Sequence, residues 1–412
     1  MLPKLLWVSD TVALPTGYGQ VTRNVLMRLK LAGFDVHNMG FQQVFSNTVP
    51  SNIPINYQTY LPIFPSGGGE HQEFYGNKGS VEHYAKHVNP DIIAFLCDSF
   101  MIRWLVEDKI YTNNLQKEMM SPAENLRIKM KKKLLFYFPF DSDEVYPGAE
   151  DVMRVMDYRV SMSRHGQRLL KRDTGLDSFY IPHGVDTSVY RKLPQEVIDA
   201  AKKENNLEGK FVVGCVARNQ TRKMLTRLLD AFKVFSEDKE DVVLFMHCDP
   251  KDQQGNDLVE YKEKNKITNI IFGMKSLAQA PNETFVNLIY NIFDIHVIPT
   301  TGEGFGLPMI ESMAVGIPNI CTDYTTTREL LGNGRGLMAK WDDFVVGQLN
   351  TKRVLVNKDD LVRKMEMLYR SEKLRNKIAT KAKKYVIEHY DWSKIMRMWV
   401  ELLQYGDIYE KP

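Results

Sequence analysis

The chain is 412 residues long, 43% hydrophobic and 25% charged, with a formal net charge of +3. That length holds two domains with full cores, and the composition excludes a chain dominated by disorder. A charge so close to balance demands no polyanionic partner and leaves room only for local basic patches. Cys97, Cys215, Cys248 and Cys321 lie far apart with no C-x-x-C pair, so they read as buried thiols of a reducing compartment, not as a metal or disulfide framework. The apolar run in MLPKLLWVSD is too short for a signal peptide and no stretch approaches a membrane span. The expected location is cytoplasmic, with peripheral membrane contact left open.

Leu5 to Ser9 reads as a buried strand running into ALPTGYGQ, followed by a helix with Val21, Val25, Leu26, Leu29 and Ala32 on one face and a stop at Gly33. Gly17 and Gly19 then belong to a glycine turn that either tolerates an anion or serves a tight bend. Residues 40 to 79 are rich in Pro, Asn, Ser and Gly and show no period, as expected of a long surface excursion. Asp91 to Cys97 resumes a strand. Five cations between Arg127 and Lys133 precede the apolar Leu134 to Phe140; they fit a nucleic-acid or lipid phosphate backbone, or a solvated helix end. Asp141-Ser142-Asp143 matches the D-x-D pattern that holds a divalent metal in a different, single-domain fold, and the expectation here is no metal. A strand from Tyr158, a basic helix from Arg164 and the string YIPHGVD close this half, and His183 in that string is expected to be structural.

The second half opens with a strand, Phe211 to Ala217, the turn RNQTRK and a helix from Leu225. Arg218 and Lys223, with Arg222 as the adjacent alternative, converge where a strand passes into a helix, a natural place for an anion. Strands at Val242 to His247, Asn269 to Gly273 and Asp294 to Pro299 alternate with helices, the rhythm of a doubly wound sheet. After the last of these, Gly302, Gly304 and Gly306 let backbone N–H groups approach a ligand, and Pro308 suits the first turn of a helix that Gly316 ends. Glu303 and Glu311 stand eight apart across that loop and helix. Acids beside an anion site repel phosphate, so they are expected to accept hydrogen bonds from neutral hydroxyls. A ligand with both phosphates and hydroxyls is a nucleotide sugar.

EGFGLPMIE, Glu303 to Glu311, resembles the E-x7-E signature of retaining glycosyltransferase family 4. The resemblance implies the GT-B fold, an α/β architecture of two facing Rossmann-like domains with a C-terminal helix crossing back to the first. Expected bounds are an acceptor-side domain over 1–185, a nucleotide-sugar domain over 186–388 and the closing helix over 389–412. By the same resemblance Glu311 holds the nucleotide ribose, Glu303 touches a donor-sugar hydroxyl, and the loop at Gly304, Phe305 and Gly306 meets sugar and phosphate. Arg218 and Lys223 would neutralise the diphosphate, Gly17 and Gly19 would form a loop closing over it, and Asp141 would sit beside the donor sugar. Residues 40–79 become a possible acceptor lid, and Met274 and Lys275 lie where the fold places the nucleobase. The implied activity is metal-independent, retaining transfer of a hexose or pentose from a nucleoside-diphosphate sugar to an acceptor hydroxyl. No cofactor is expected beyond that donor. The acceptor is open between glycan, lipid, protein and DNA carrying a hydroxymethylated base, and a non-catalytic nucleotide-sugar binder is the rival of another class.

Overall fold

The computed structural model describes residues 2–41, 63–65, 78–107, 110–111, 119–274 and 282–407. Most of the proposed lid at 40–79, and Lys275, lie outside them. The chain divides into two compact units, one of Met1–Phe140, Glu144–Gly184 and Trp392–Pro412, the other of Asp141–Asp143 and Val185–Asp391.

Unit 1 is a parallel sheet of seven strands, β1 (Leu5–Asp10), β2 (Val36–Phe41), β3 (Ile63–Pro65), β4 (Ile92–Leu96), β7 (Lys133–Phe138), β8 (Tyr158–Ser161) and β9 (Phe179–Tyr180), in the order β3-β2-β1-β4-β7-β8-β9. A small antiparallel pair, β5 (Ile110–Tyr111) and β6 (Met119–Met120), stands apart. Every residue of β1 is buried, which is why the strand reads as a continuous apolar run instead of an alternating one. The last helix, Trp392–Tyr405, belongs to this unit: Trp399 meets Trp7 and Tyr137 edge to face, with ring centroids 5.6 and 4.9 Å away. Its start explains a glycine in YIPHGVD, because a Cβ on Gly184 would lie 2.4 Å from the Trp392 ring.

One local expectation fails here. Gly17 and Gly19 stand in the first turn of the helix Gly17–Leu31 and not in an open loop. Thr16 is the N-cap, its Oγ1 accepting from the Gly19 N–H at 3.0 Å while donating to Asp10, so helix capping wins over the glycine turn. Gly19 is still constrained, since a Cβ there would come within 2.3 Å of the Leu14 carbonyl oxygen.

Unit 2 repeats the plan with β10 (Phe211–Val216), β11 (Val242–His247), β12 (Ile270–Phe272), β13 (Ile295–Ile298), β14 (Asn319–Thr322) and β15 (Leu337–Ala339), ordered β12-β11-β10-β13-β14-β15 and parallel throughout. Its core joins Val213, Leu244, Val297 and Ile320 of the sheet to Leu228, Phe232 and Phe235 of the helix Leu225–Phe235. Each such side chain contributes roughly 1.5–3 kcal/mol on burial. In both sheets the order reverses between neighbours, at β1/β4 and at β10/β13, and open sheets bind ligands beyond the strand ends at such a point. After β15 an antiparallel hairpin, β16 (Trp341–Val346) and β17 (Lys352–Val356), precedes the helix Lys358–Arg370. Among the described residues no helix is long and apolar enough to cross a membrane.

Candidate functional site

The loops leaving β10 and β13 meet at the reversal of unit 2. The first ends in a tight turn, Thr221–Lys223, and Met224 takes a left-handed conformation (φ 51°, ψ 39°) before the helix begins. Thr301 donates its backbone N–H to the Arg222 carbonyl at 2.9 Å, and Arg222 Nη1 donates to the Gly302 carbonyl at 3.2 Å, so the two loops are stitched together. On that frame Lys223 Nζ lies 2.5 Å from Glu303 Oε1, and Arg222 Nη1 lies 3.5 Å from Glu303 Oε2. Both members of the Lys223–Glu303 pair are buried. Burial pushes the Glu303 carboxyl up, but Lys223, Arg222 and a hydrogen bond from Thr300 outweigh it and hold the group below the usual range. Burial, followed by the Arg222 charge, lowers the Lys223 ammonium despite the pull of Glu303.

The backbone of the glycine loop is fixed from the segment after β14. Thr325 Oγ1 accepts from the Glu303 N–H at 3.0 Å, and Thr326 Oγ1 donates to the carbonyls of Glu303 and Phe305 at 2.9 and 3.0 Å. Gly304 lies between them, and Phe305 is buried against Tyr390. Gly306 is the N-cap of the helix Leu307–Val315 at φ +103°, where a side chain would be strained. Gly306 has no side chain with which to cap this helix start, and the helix carries its partial positive charge at that end. One turn further in, the buried Glu311 carboxylate accepts from Tyr290 Oη at 2.8 Å. Burial and then the Glu311 charge push the Tyr290 phenol well up, which keeps it a donor.

Arg218 stands at the carboxyl end of β10, but its Nε is held by Asp252 at 2.7 Å, an acid from the polar loop after β11, and it makes no bond to Glu303. Burial raises the Asp252 carboxyl, and the hydrogen bonds from Arg218 and Gln254 more than reverse this. Asp141 belongs to unit 2 with its two successors. Arg353 Nη2 donates to Asp141 Oδ1 at 2.7 Å, while Arg222 Nε approaches Asp141 Oδ2 at 4.0 Å. Asp143 is exposed and its N–H donates to Tyr324 Oη at 3.0 Å. The structure thus brings Lys223, Glu303, Asp141 and the glycine loop into one network, with Arg218 and Glu311 anchored at its flanks. Gly17 and Gly19 lie in the other unit. Arg353 went unforeseen, as did Arg222's central place.

His183 is 3% exposed, its Nδ1 lies 2.7 Å from Tyr137 Oη, and burial lowers it to about 3, consistent with a neutral core imidazole. The cations of the two basic runs are largely engaged: Arg127 by Asp157 at 2.7 Å, Lys133 by Tyr158 at 3.0 Å, and Lys171 by Asp177 at 2.8 Å. Three buried polar atoms at the carboxyl ends of unit 2 strands, His247 Nδ1, Thr301 Oγ1 and Thr322 Oγ1, have no partner among the described residues.

Residues 197–385, inside unit 2, match the model of the family described as glycosyl transferases group 1. The chain is 26% identical over 231 residues to the lipopolysaccharide core biosynthesis mannosyltransferase LpsB of Rhizobium meliloti, covering 54% of this chain and 63% of that one. It is 25% identical over 203 residues to the capsular polysaccharide biosynthesis glycosyltransferase CapM of Staphylococcus aureus, 48% of each. The chain therefore spans less than two thirds of these relatives. The structure of Anabaena Alr3699/HepE in complex with UDP and glucose superposes with a TM-score of 0.73 at 14% identity, over 97% of this chain and 99% of that one. The fold is GT-B, built from two Rossmann-like parallel-sheet units.

Proposed function

We propose that the chain is a retaining, metal-independent glycosyltransferase that moves a hexose or pentose from a nucleoside-diphosphate sugar to an acceptor hydroxyl. The observation that carries this reading is the buried Lys223–Glu303 pair with Arg222 beside it at the sheet reversal, next to the helix start at Gly306. As the bond from sugar to diphosphate breaks, negative charge grows on the leaving oxygens. Lys223, the Arg218 guanidinium oriented by Asp252, and the helix dipole neutralise it without reorganising. Glu311 holds the ribose hydroxyls and Glu303 a sugar hydroxyl, with Gly304, Phe305 and Gly306 presenting backbone to sugar and phosphate. The partnerless hydroxyl of Thr301 is a further group that a bound polar ligand would satisfy.

Retention is favoured by the state of the acids. Glu303 has two cations on it and Asp141 is gripped by Arg353, so neither carboxylate is a free nucleophile. Attack on the face the diphosphate leaves needs none: the acceptor oxygen bonds to the anomeric carbon as the sugar–phosphate bond breaks, and its proton passes to a leaving phosphate oxygen. The HepE complex with UDP and glucose, and the mannosyltransferase relative, favour a nucleotide hexose. Relatives in lipopolysaccharide and capsule synthesis favour a saccharide hydroxyl over protein or modified DNA as acceptor. Four buried free thiols suit a reducing, cytoplasmic setting.

Melting the protein with a panel of nucleotide sugars tests the donor; a rise in melting temperature with one of them is expected. Product NMR should then show the donor's anomeric configuration, and turnover should persist in excess EDTA. Inverted product, or loss of turnover on chelation, refutes the corresponding part.

A further inference from the structure

The geometry points to Arg353 as a positioning residue of the donor site, acting on Glu303 through Asp141 and Arg222; the inference rests on the donor reading above. Arg353 comes from β17, a strand outside the Rossmann-like sheet, and its side chain is 7% exposed. It grips a single residue twice, with Nη2 on Asp141 Oδ1 at 2.7 Å and Nη1 on the Asp141 carbonyl at 3.3 Å. The hairpin is shaped for it: a Cβ on Gly347 would lie 2.4 Å from Arg353 Cδ. Three more bonds tie the same pieces together. Val354 donates to the Thr301 carbonyl at 3.4 Å, and Tyr324 Oη accepts from the Asp143 N–H and donates to the Lys352 carbonyl at 3.2 Å. The donor loop runs so close to Asp141 that a Cβ on Gly302 would lie 2.0 Å from its carbonyl oxygen.

The charges alternate along one row: Arg353, Asp141, Arg222, Glu303, Lys223. Each cation between two acids is pulled both ways, so the position of Arg222 depends on how well Asp141 is already satisfied. Removing Arg353 leaves Asp141 to draw Arg222 toward itself. Glu303 then keeps Lys223 alone and loses part of what holds its carboxyl low, so it protonates at a higher pH. A fork that merely staples the hairpin would change melting temperature and leave that titration where it was.

The test measures nucleoside-diphosphate release from UDP-glucose, UDP-galactose, GDP-mannose and ADP-glucose by the full chain, as a function of pH. With the donor that wild type uses, Arg353→Met should lower kcat at least tenfold with a smaller change in KM, and should move the acid limb of the kcat profile upward. Arg353→Lys should restore part of both. In an Asp141→Asn background, Arg353→Met should add less than twofold. An unmoved acid limb, or a full additional loss in that background, overturns the proposal while the donor reading stands. No release and no binding with any of the four for wild type removes the donor reading and this inference with it. Should Arg353→Met not fold, Arg353→Lys decides: a severalfold lower kcat with a raised acid limb supports the assignment, and a wild-type profile overturns it.

Discussion

The two units share a topology and differ in what they place at the carboxyl ends of their strands. Beyond β1 and β4 in unit 1, Asp10 accepts from Thr16, and Asp98 from Tyr18 at 3.3 Å. These are acids and hydroxyls around a helix whose first turn a side chain caps. Beyond β10 in unit 2 stand Arg218, Arg222 and Lys223, and the helix start beyond β13 has a glycine N-cap with no side chain. The strand order is the same, so the difference lies in the loops: acids and hydroxyls stand at one sheet end, two arginines and a lysine at the other.

The sharpest contrast is in stability. Glu303→Ala strands the buried Lys223 ammonium and should cost about 3–5 kcal/mol, whereas Asp98→Asn should cost less than about 1 kcal/mol; chemical denaturation of both variants compares them, and equal losses would break the contrast. Next comes ligand affinity. Glu311→Ala removes a charged acceptor and should weaken nucleotide-sugar binding roughly 10–100-fold, with Asp98→Asn within twofold of wild type by calorimetry.

A smaller effect separates the units by pH. Burial holds His183 of unit 1 at about 3, and His247 and His296 of unit 2 at about 4, against 6.5 for an exposed imidazole. The depressed groups stay neutral when folded, so their stabilising effect is complete above pH 6.5 and falls as pH drops toward 4. Each costs about 1.4 kcal/mol per pH unit in that window. His183→Gln should flatten the acid-side slope by one proton's worth; an unchanged slope contradicts the assignment. Least of all, Thr16→Ala removes a helix cap in unit 1 and should cost about 1 kcal/mol, with nucleotide binding unaltered.

What could be read in the sequence was what is local. Strands buried on both faces appear as apolar runs, and EGFGLPMIE carries its loop, helix start and both acids within nine residues. The hairpin escaped because WDDFVV exposes two acids, bends at a register shift and carries no clean period. The pairing of Arg353 with Asp141 joins positions 212 apart, and nothing in either segment announces the other. Arg218 was found by its place after a strand, but Asp252, which aims it, lay in a polar loop without a pattern. At Gly17 and Gly19 the glycines drew attention away from Thr16, whose capping role sets the structure there.

The central claim is that a diphosphate is neutralised where the β10 and β13 loops meet. Calorimetric titration of wild type and Lys223→Ala with UDP, GDP and ADP tests it most directly. Binding of at least one to wild type, weakened about 100-fold in the variant, is the expected result for a buried charged contact. The same dissociation constant in both proteins would contradict it.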